Sequence, residues 1–161
     1  MLSALGVIIL AIGSIFDVVD LSVAVIASLL CVYAVIEMGG IYPWMIWIVT
    51  SLVALLLLPV KTPAIFYAVA FGFYPMVKEK AEKKSNTVCW IIKIITFHIA
   101  MALMLLGLWL FVPAMLDGMF RLLMLAFLYV GALAVFIVYD MALTRLITLY
   151  FARFRHRFRL K

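Results

Sequence analysis

Charge is what this chain of 161 residues has least of: Asp, Glu, Lys and Arg together make up 12% of it, against 70% hydrophobic residues. A soluble domain of this size has a large surface to cover and needs far more polar side chains to do so, which leaves lipid as the solvent. Histidine is also scarce, with only His98 and His156, and neither cysteine, Cys31 or Cys89, belongs to a CxxC pair. That excludes a disulfide framework and a thiolate metal site, and leaves both cysteines as small buried hydrophobes. There is no GxSxG, no HExxH and no Walker glycine loop, so no nucleophile elbow, zinc-protease helix or nucleotide cradle is encoded. The expectation is a protein that is not an enzyme and holds no metal or cofactor. The first segment lacks a basic leader region and a small-x-small cleavage site, so it is not expected to be a removable signal peptide.

What the chain does have is six apolar runs, at 2–16, 20–37, 41–60, 63–77, 88–112 and 119–144, with the last helix expected to continue to 150. A hydrocarbon layer about 30 Å thick needs about 20 apolar residues at 1.5 Å each, and several runs meet that length. Stretches such as 52–59 and 101–112 are apolar all round rather than alternating, which excludes a barrel. The expected fold is therefore all-α: one polytopic membrane domain of six transmembrane helices over 1–161, ending in a basic tail at 151–161. Breaks fall at Asp17-Val18-Val19-Asp20, Gly39-Gly40, Pro59-Val60-Lys61-Thr62-Pro63, the lysine-rich stretch after Val77, and Pro113 to Gly118. The first and fourth runs hold about 15 residues, roughly 22 Å of helix, and are expected to be re-entrant or to thin the bilayer.

Positive charge is concentrated in Lys78-Glu79-Lys80-Ala81-Glu82-Lys83-Lys84 and in the tail from Arg153 to Lys161. With six spans these fall on one side, while the opposite loops carry Asp17, Asp20 and Asp117 with only Lys61 and Arg121 as cations. The positive-inside rule then places both termini in the cytoplasm of a cell (inner) membrane. The i,i+4 pairs Lys78–Glu82 and Glu79–Lys83 predict a short solvated helix. In the tail, Ile147, Phe151, Phe154 and Phe158 form a stripe, with Arg153, Arg155, Arg157, Arg159 and Lys161 on the remaining faces. That is a basic amphipathic helix suited to anionic lipids at the cytoplasmic leaflet, and tethering at the bilayer argues against nucleic acid.

Ionisable groups within a bundle need partners to offset their desolvation. Lys93 and Asp140 are expected to pair near the inner boundary, with Glu37 or Arg145 joining, and His98 is expected to be a neutral core residue. On the outer side, Asp17, Asp20, Lys61, Thr62, Asp117 and Arg121 gather at loop level above Phe66, Tyr67, Trp109 and Phe111. Aromatic walls with a few charged anchors suit a small-molecule site, while helix caps and an interfacial aromatic belt give the same residues. Small residues at Ala24, Ala27, Cys31 and Ala34 line one face of the second helix, and Ala4, Gly6, Ala11, Gly13 and Ser14 lie on the first. Such stripes let another helix approach, within the bundle or from a partner subunit. The Asp117-Gly118-Met119-Phe120-Arg121 string lacks the alanine and the later paired aspartates of the CDP-alcohol phosphotransferases. Val135 and Tyr139 stand where those carboxylates belong, so that metal chemistry has nothing to run on.

Six helices in so short a chain, an Ala- and Gly-rich first pair and short outer loops resemble the S components of energy-coupling factor (ECF) transporters. The stretches Pro59-Val60-Lys61-Thr62-Pro63-Ala64 and Gly72-Phe73-Tyr74-Pro75-Met76-Val77-Lys78 are similar to those of small S-component-like proteins of Firmicutes. The resemblance implies a membrane subunit that binds a vitamin or ion near the outer face. It also implies a transmembrane coupling subunit and two ATPases as partners, with docking contacts at Ala4, Gly6, Ala11 and Gly13. The competing expectation is a membrane scaffold or assembly protein similar in length and basic tail to the rod-shape protein MreD.

Overall fold

A computed structural model of the chain describes residues 1–15, 20–111 and 121–154, and the side chains of 1–15, 20–107 and 124–152. Every regular element among them is helical. The chain divides into two compact units, Met1–Phe111 and Val112–Lys161.

The first unit begins with α1 (Leu2–Gly13) and α2 (Asp20–Glu37), which pack closely. Gly6 faces Leu30 while Gly13 faces Val23, so the two run antiparallel. A β-carbon on Gly13 would lie 2.9 Å from a Val23 methyl, and one on Gly6 2.9 Å from the Thr50 methyl of α3 (Tyr42–Leu57). Ala24, Ala27, Cys31 and Ala34 are all fully buried. The small-residue stripe is thus filled by the chain's own helices, because small side chains are what let these helices approach. Of the two expected uses of the stripe, contact within the bundle is the one that Gly6, Gly13, Ala24 and Ala27 make; Ala4 is exposed and Ala11 half-buried.

Between α2 and α3, Gly39 and Gly40 both take φ of 60°, a left-handed turn that a side chain resists. α3 ends where Leu58, held extended (ψ 135°) ahead of Pro59, leaves the helical region. The run expected as one helix over 63–77 is broken. It consists of α4 (Thr62–Phe66), a π-helix (Tyr67–Phe71), a bend at Gly72-Phe73, and α5 (Tyr74–Glu82) with Pro75 in its first turn. Proline suits a first turn because its missing N–H has no partner to lose there. α5 turns back through 83–85 into α6 (Asn86–Phe111), and the two form a packed hairpin.

The expected solvated lysine helix needs a second correction. Glu79 and Lys83 do pair at the surface, but Lys78 is only 1% exposed, its Nζ 2.9 Å from Glu82. α5 packs between α2 and α6, so one face of a helix that is charged by composition is interior. In the second unit the described element is α7 (Arg121–Phe154).

Among the described residues, three helical stretches are long and apolar enough to cross a membrane: Asp20–Glu37, Asn86–Gly107 and Met124–Ala152, at 18, 22 and 29 residues. The first alone gives about 27 Å of helix. α1 and α3 are shorter apolar helices. Large apolar side chains stand uncovered along α3 and α6, among them Leu52, Leu56, Ile91, Ile95 and Ile99. The described residues are all-helical in their regular structure, and their long apolar helices mark the chain as a membrane protein.

Candidate functional site

Irregular backbone inside a dry bundle must have its freed polar groups satisfied, and the π-helix shows how this is done here. A π turn shifts hydrogen bonds from i→i−4 to i→i−5 and recurs at functional sites. Gly72 N–H donates to the Tyr67 carbonyl at 2.7 Å rather than to Ala68. The Ala68 carbonyl accepts instead from Trp47 Nε1 of α3, at 3.2 Å. The indole is held in turn by an edge contact with Trp44 (centroids 5.9 Å apart) and a tilted contact with Phe73 (6.0 Å).

Gly72 permits this approach. A β-carbon there would fall 2.6 Å from Trp47 Cδ1 and 2.7 Å from the Tyr67 carbonyl oxygen, and the second of these is backbone that cannot swing away. On the opposite side, Tyr67, 1% exposed, has its hydroxyl 3.1 Å from Cys31 Sγ of α2. The π segment is therefore pinned by polar contacts to two helices.

One turn along α3 from Trp47, at i+3 and i+4, lie Thr50 and Ser51. They share the inward face with Trp47, and Ala54 continues it one turn further. Thr50 is fully buried and Ser51 7% exposed, yet Thr50 Oγ1 and Ser51 Oγ have no hydrogen-bond partner. Buried hydroxyls normally bond back to the preceding turn, as Ser28 does to Val25 and Thr96 to Ile92. Two adjacent orphans in one helix are a polar spot that the fold itself leaves open, and such groups call for an explanation. Hydroxyls both donate and accept, so the spot suits a polar atom of a small molecule, an ion or a water.

The residues expected to form an outer site are only partly brought together. Lys61 and Thr62 are exposed at the start of α4, Phe66 is half-buried, and Tyr67 is drawn into the core. Asp20 opens α2 and is half-buried. Asp17 and Asp117 lie outside the described residues, as do the side chains of Trp109 and Arg121. Of the tail stripe, Phe158 and everything from Arg155 onward also lie outside them.

Lys93 is 8% exposed, with Nζ 5.7 Å from the Trp90 ring centroid. Asp140, expected to pair with it, is half-buried on α7 in the other unit. His98, expected to be a core residue, is exposed on α6, its Nδ1 2.8 Å from the Ile94 carbonyl oxygen. The correction follows from helix phase: the adjacent Phe97 takes the inward position, 6% exposed. Sequence reasoning missed Trp47, Thr50, Ser51 and Gly72. The available signal was the Thr-Ser pair in the middle of an apolar run, where each hydroxyl needs a reason to be there.

No protein-family model, curated protein or solved structure matches this chain. The class therefore rests on the structure, a helical membrane protein with a pinned π-helix and, on α3, two buried hydroxyls without partners.

Thermal unfolding of the detergent-purified protein tests the pinning. Trp47→Phe keeps the ring but orphans the Ala68 carbonyl, and a loss of about 1–2 kcal/mol is expected. Gly72→Ala should cost about 1–3 kcal/mol by forcing the backbone apart. Unchanged stability in both variants would show that the π segment is not held in this way.

Proposed function

We propose that the chain is a six-span bundle of the cell membrane with both ends in the cytoplasm. In this reading it serves as the membrane-embedded substrate-binding subunit of an ECF-type uptake transporter. Its spans would be α1, α2, α3, the α4–π–α5 element, α6 and α7. The side of the basic hairpin follows from the positive-inside rule. Lys80 of α5 lies over the ring of Trp44, near the start of α3, 5.3 Å from its centroid, as an alternating up-and-down order requires.

The observation that carries the binding role is the buried pair of unbonded hydroxyls, Thr50 and Ser51, one turn along α3 from Trp47. Leaving polar groups unbonded away from water costs stability, and a ligand that completes them returns it. The substrate expected from the resemblance is a small vitamin-like molecule or an ion entering from the outer face past Lys61 and Thr62. The chain encodes no nucleotide site, so energy would come from partner ATPases.

One observation favours a second reading. Gly6 and Gly13, two of the four positions at which the resemblance implies docking, are filled internally, while Ala4 is exposed and Ala11 half-buried. A membrane scaffold of the MreD kind does not need that surface.

Two measurements test these readings separately. Cysteines placed at Asp117 and Ser85, in a chain with Cys31 and Cys89 replaced by serine, should label from outside and inside respectively. Labelling of position 85 from outside would overturn the topology. Affinity purification of the tagged protein from its native membrane should recover a coupling membrane protein with two ATPases; recovery of cell-wall or division proteins without an ATPase would favour the scaffold instead.

A further inference from the structure

A hydroxyl within a helix has a ready partner in the carbonyl one turn back, and this chain uses it repeatedly. Ser28 bonds to the carbonyl of Val25, Thr96 to that of Ile92, Thr144 to Asp140 and Thr148 to Thr144. Thr50 and Ser51, halfway along α3, do not, although both are buried. The Thr50 side chain is turned to α1 instead. A β-carbon on Gly6 would lie 2.9 Å from its Cγ2, 3.4 Å from its Oγ1 and 3.6 Å from Leu30 Cδ1 of α2. The approach is close, so a group that completes this hydroxyl is small.

Charge is remote from this spot. Among the described residues, α1, α2, α4 and the π segment are the elements that pack most closely on α3. Of these and α3 itself, only α2 contains an Asp, Glu, Lys, Arg or His, and there they are its first and last residues, Asp20 and Glu37. At 1.5 Å per residue the two stand about 15 Å and about 10 Å along the helix from Leu30. The buried lysines, Lys78 and Lys93, belong to α5 and α6. An ion brought to Thr50 would give up its hydration with no counter-charge in contact. Nor do two hydroxyls replace a hydration shell, since a hard cation takes about six oxygens or more.

We infer that the Thr50–Ser51 spot takes an uncharged ligand presenting a hydroxyl, from a small solute or from water, and takes no ion. A hydroxyl both donates and accepts, as Thr50 and Ser51 do, and it needs no counter-charge. Buried water is held in this way by polar groups that a fold leaves unbonded. This ligand class rests on the reading of the two hydroxyls as a binding spot. It narrows what is expected there, from a vitamin-like molecule or an ion to a neutral group. It does not depend on the chain serving an ECF-type transporter.

Thermal unfolding of the full chain in detergent tests this, in the chlorides of lithium, sodium, potassium and choline and in sodium sulfate. Thr50→Val keeps the side chain's shape and its helix propensity while a methyl replaces the hydroxyl. Tm is expected to fall by about 2–4 °C, the effect of one lost hydrogen bond, and by the same amount in every salt. Native mass spectrometry of the same samples tells the two sources apart. A solute retained by the wild type and lost from the variant assigns the hydroxyl to that solute; the fall in Tm with no retained solute assigns it to water. An unchanged or raised Tm in Thr50→Val would mean that the hydroxyl has no ligand, because an apolar isostere then only relieves its burial. That outcome overturns both the ligand and the binding spot. A rise in wild-type Tm with one of the ions, absent from Thr50→Val, overturns the uncharged class and leaves the binding spot standing.

Discussion

Everything in this structure follows from one constraint: in a water-free interior, each backbone N–H and C=O must find a partner within the protein. Continuous α-helices meet it automatically, and α2, α6 and α7 do so over lengths that cross a bilayer. The α4–π–α5 element does not, because proline, glycine and the π shift interrupt its ladder. The Trp47 indole supplies the missing donor, the Tyr67–Cys31 contact fixes the other side, and Gly72 makes the approach sterically possible. Removing any one of these leaves a polar group or a clash in a place where no water can compensate.

The same constraint separates the two kinds of polar residue inside the first unit. Ser28 and Thr96 return their hydroxyls to their own helices and are structurally complete. Thr50 and Ser51 are not, and they lie one turn along α3 from Trp47, which holds the π segment. The buried Lys78 is paired with Glu82, and the buried Lys93 extends over the Trp90 ring. Among the described residues, two of the interior's polar features differ in chemistry. One is a neutral spot midway along α3 and the other the two buried lysines of α5 and α6.

Much of the helical layout was legible in the sequence, because apolar runs and Pro or Gly breaks report directly on span length and chain reversal. Pro59 and Gly39-Gly40 end their helices where composition places the ends. What composition could not show was phase. Lys78 sits in a run of charge that reads as solvated, yet α5 turns it inward; His98 sits in an apolar run that reads as core, yet its phase on α6 turns it out. The stripe of Ala24, Ala27, Cys31 and Ala34 was visible as a close-packing face, but only three-dimensional packing shows that α1 and its neighbours already occupy it. The π-helix is the least legible feature, since a hydrogen-bond shift of one residue leaves no mark on apolar periodicity. Tyr67 and Phe66 were expected at an outer mouth, whereas Tyr67 lies in the core with its hydroxyl against Cys31.

The central claim is that the broken fourth segment is part of the dry, hydrogen-bonded interior rather than a wetted loop. Hydrogen–deuterium exchange of the full chain in phosphatidylcholine nanodiscs, resolved across residues 62–82, tests it most directly. The account predicts that amides at 67–72 exchange as slowly as those of 24–34 in α2. Exchange of 67–72 within seconds, while α2 stays protected, would mean that water reaches the π segment and that Trp47 does not seal it.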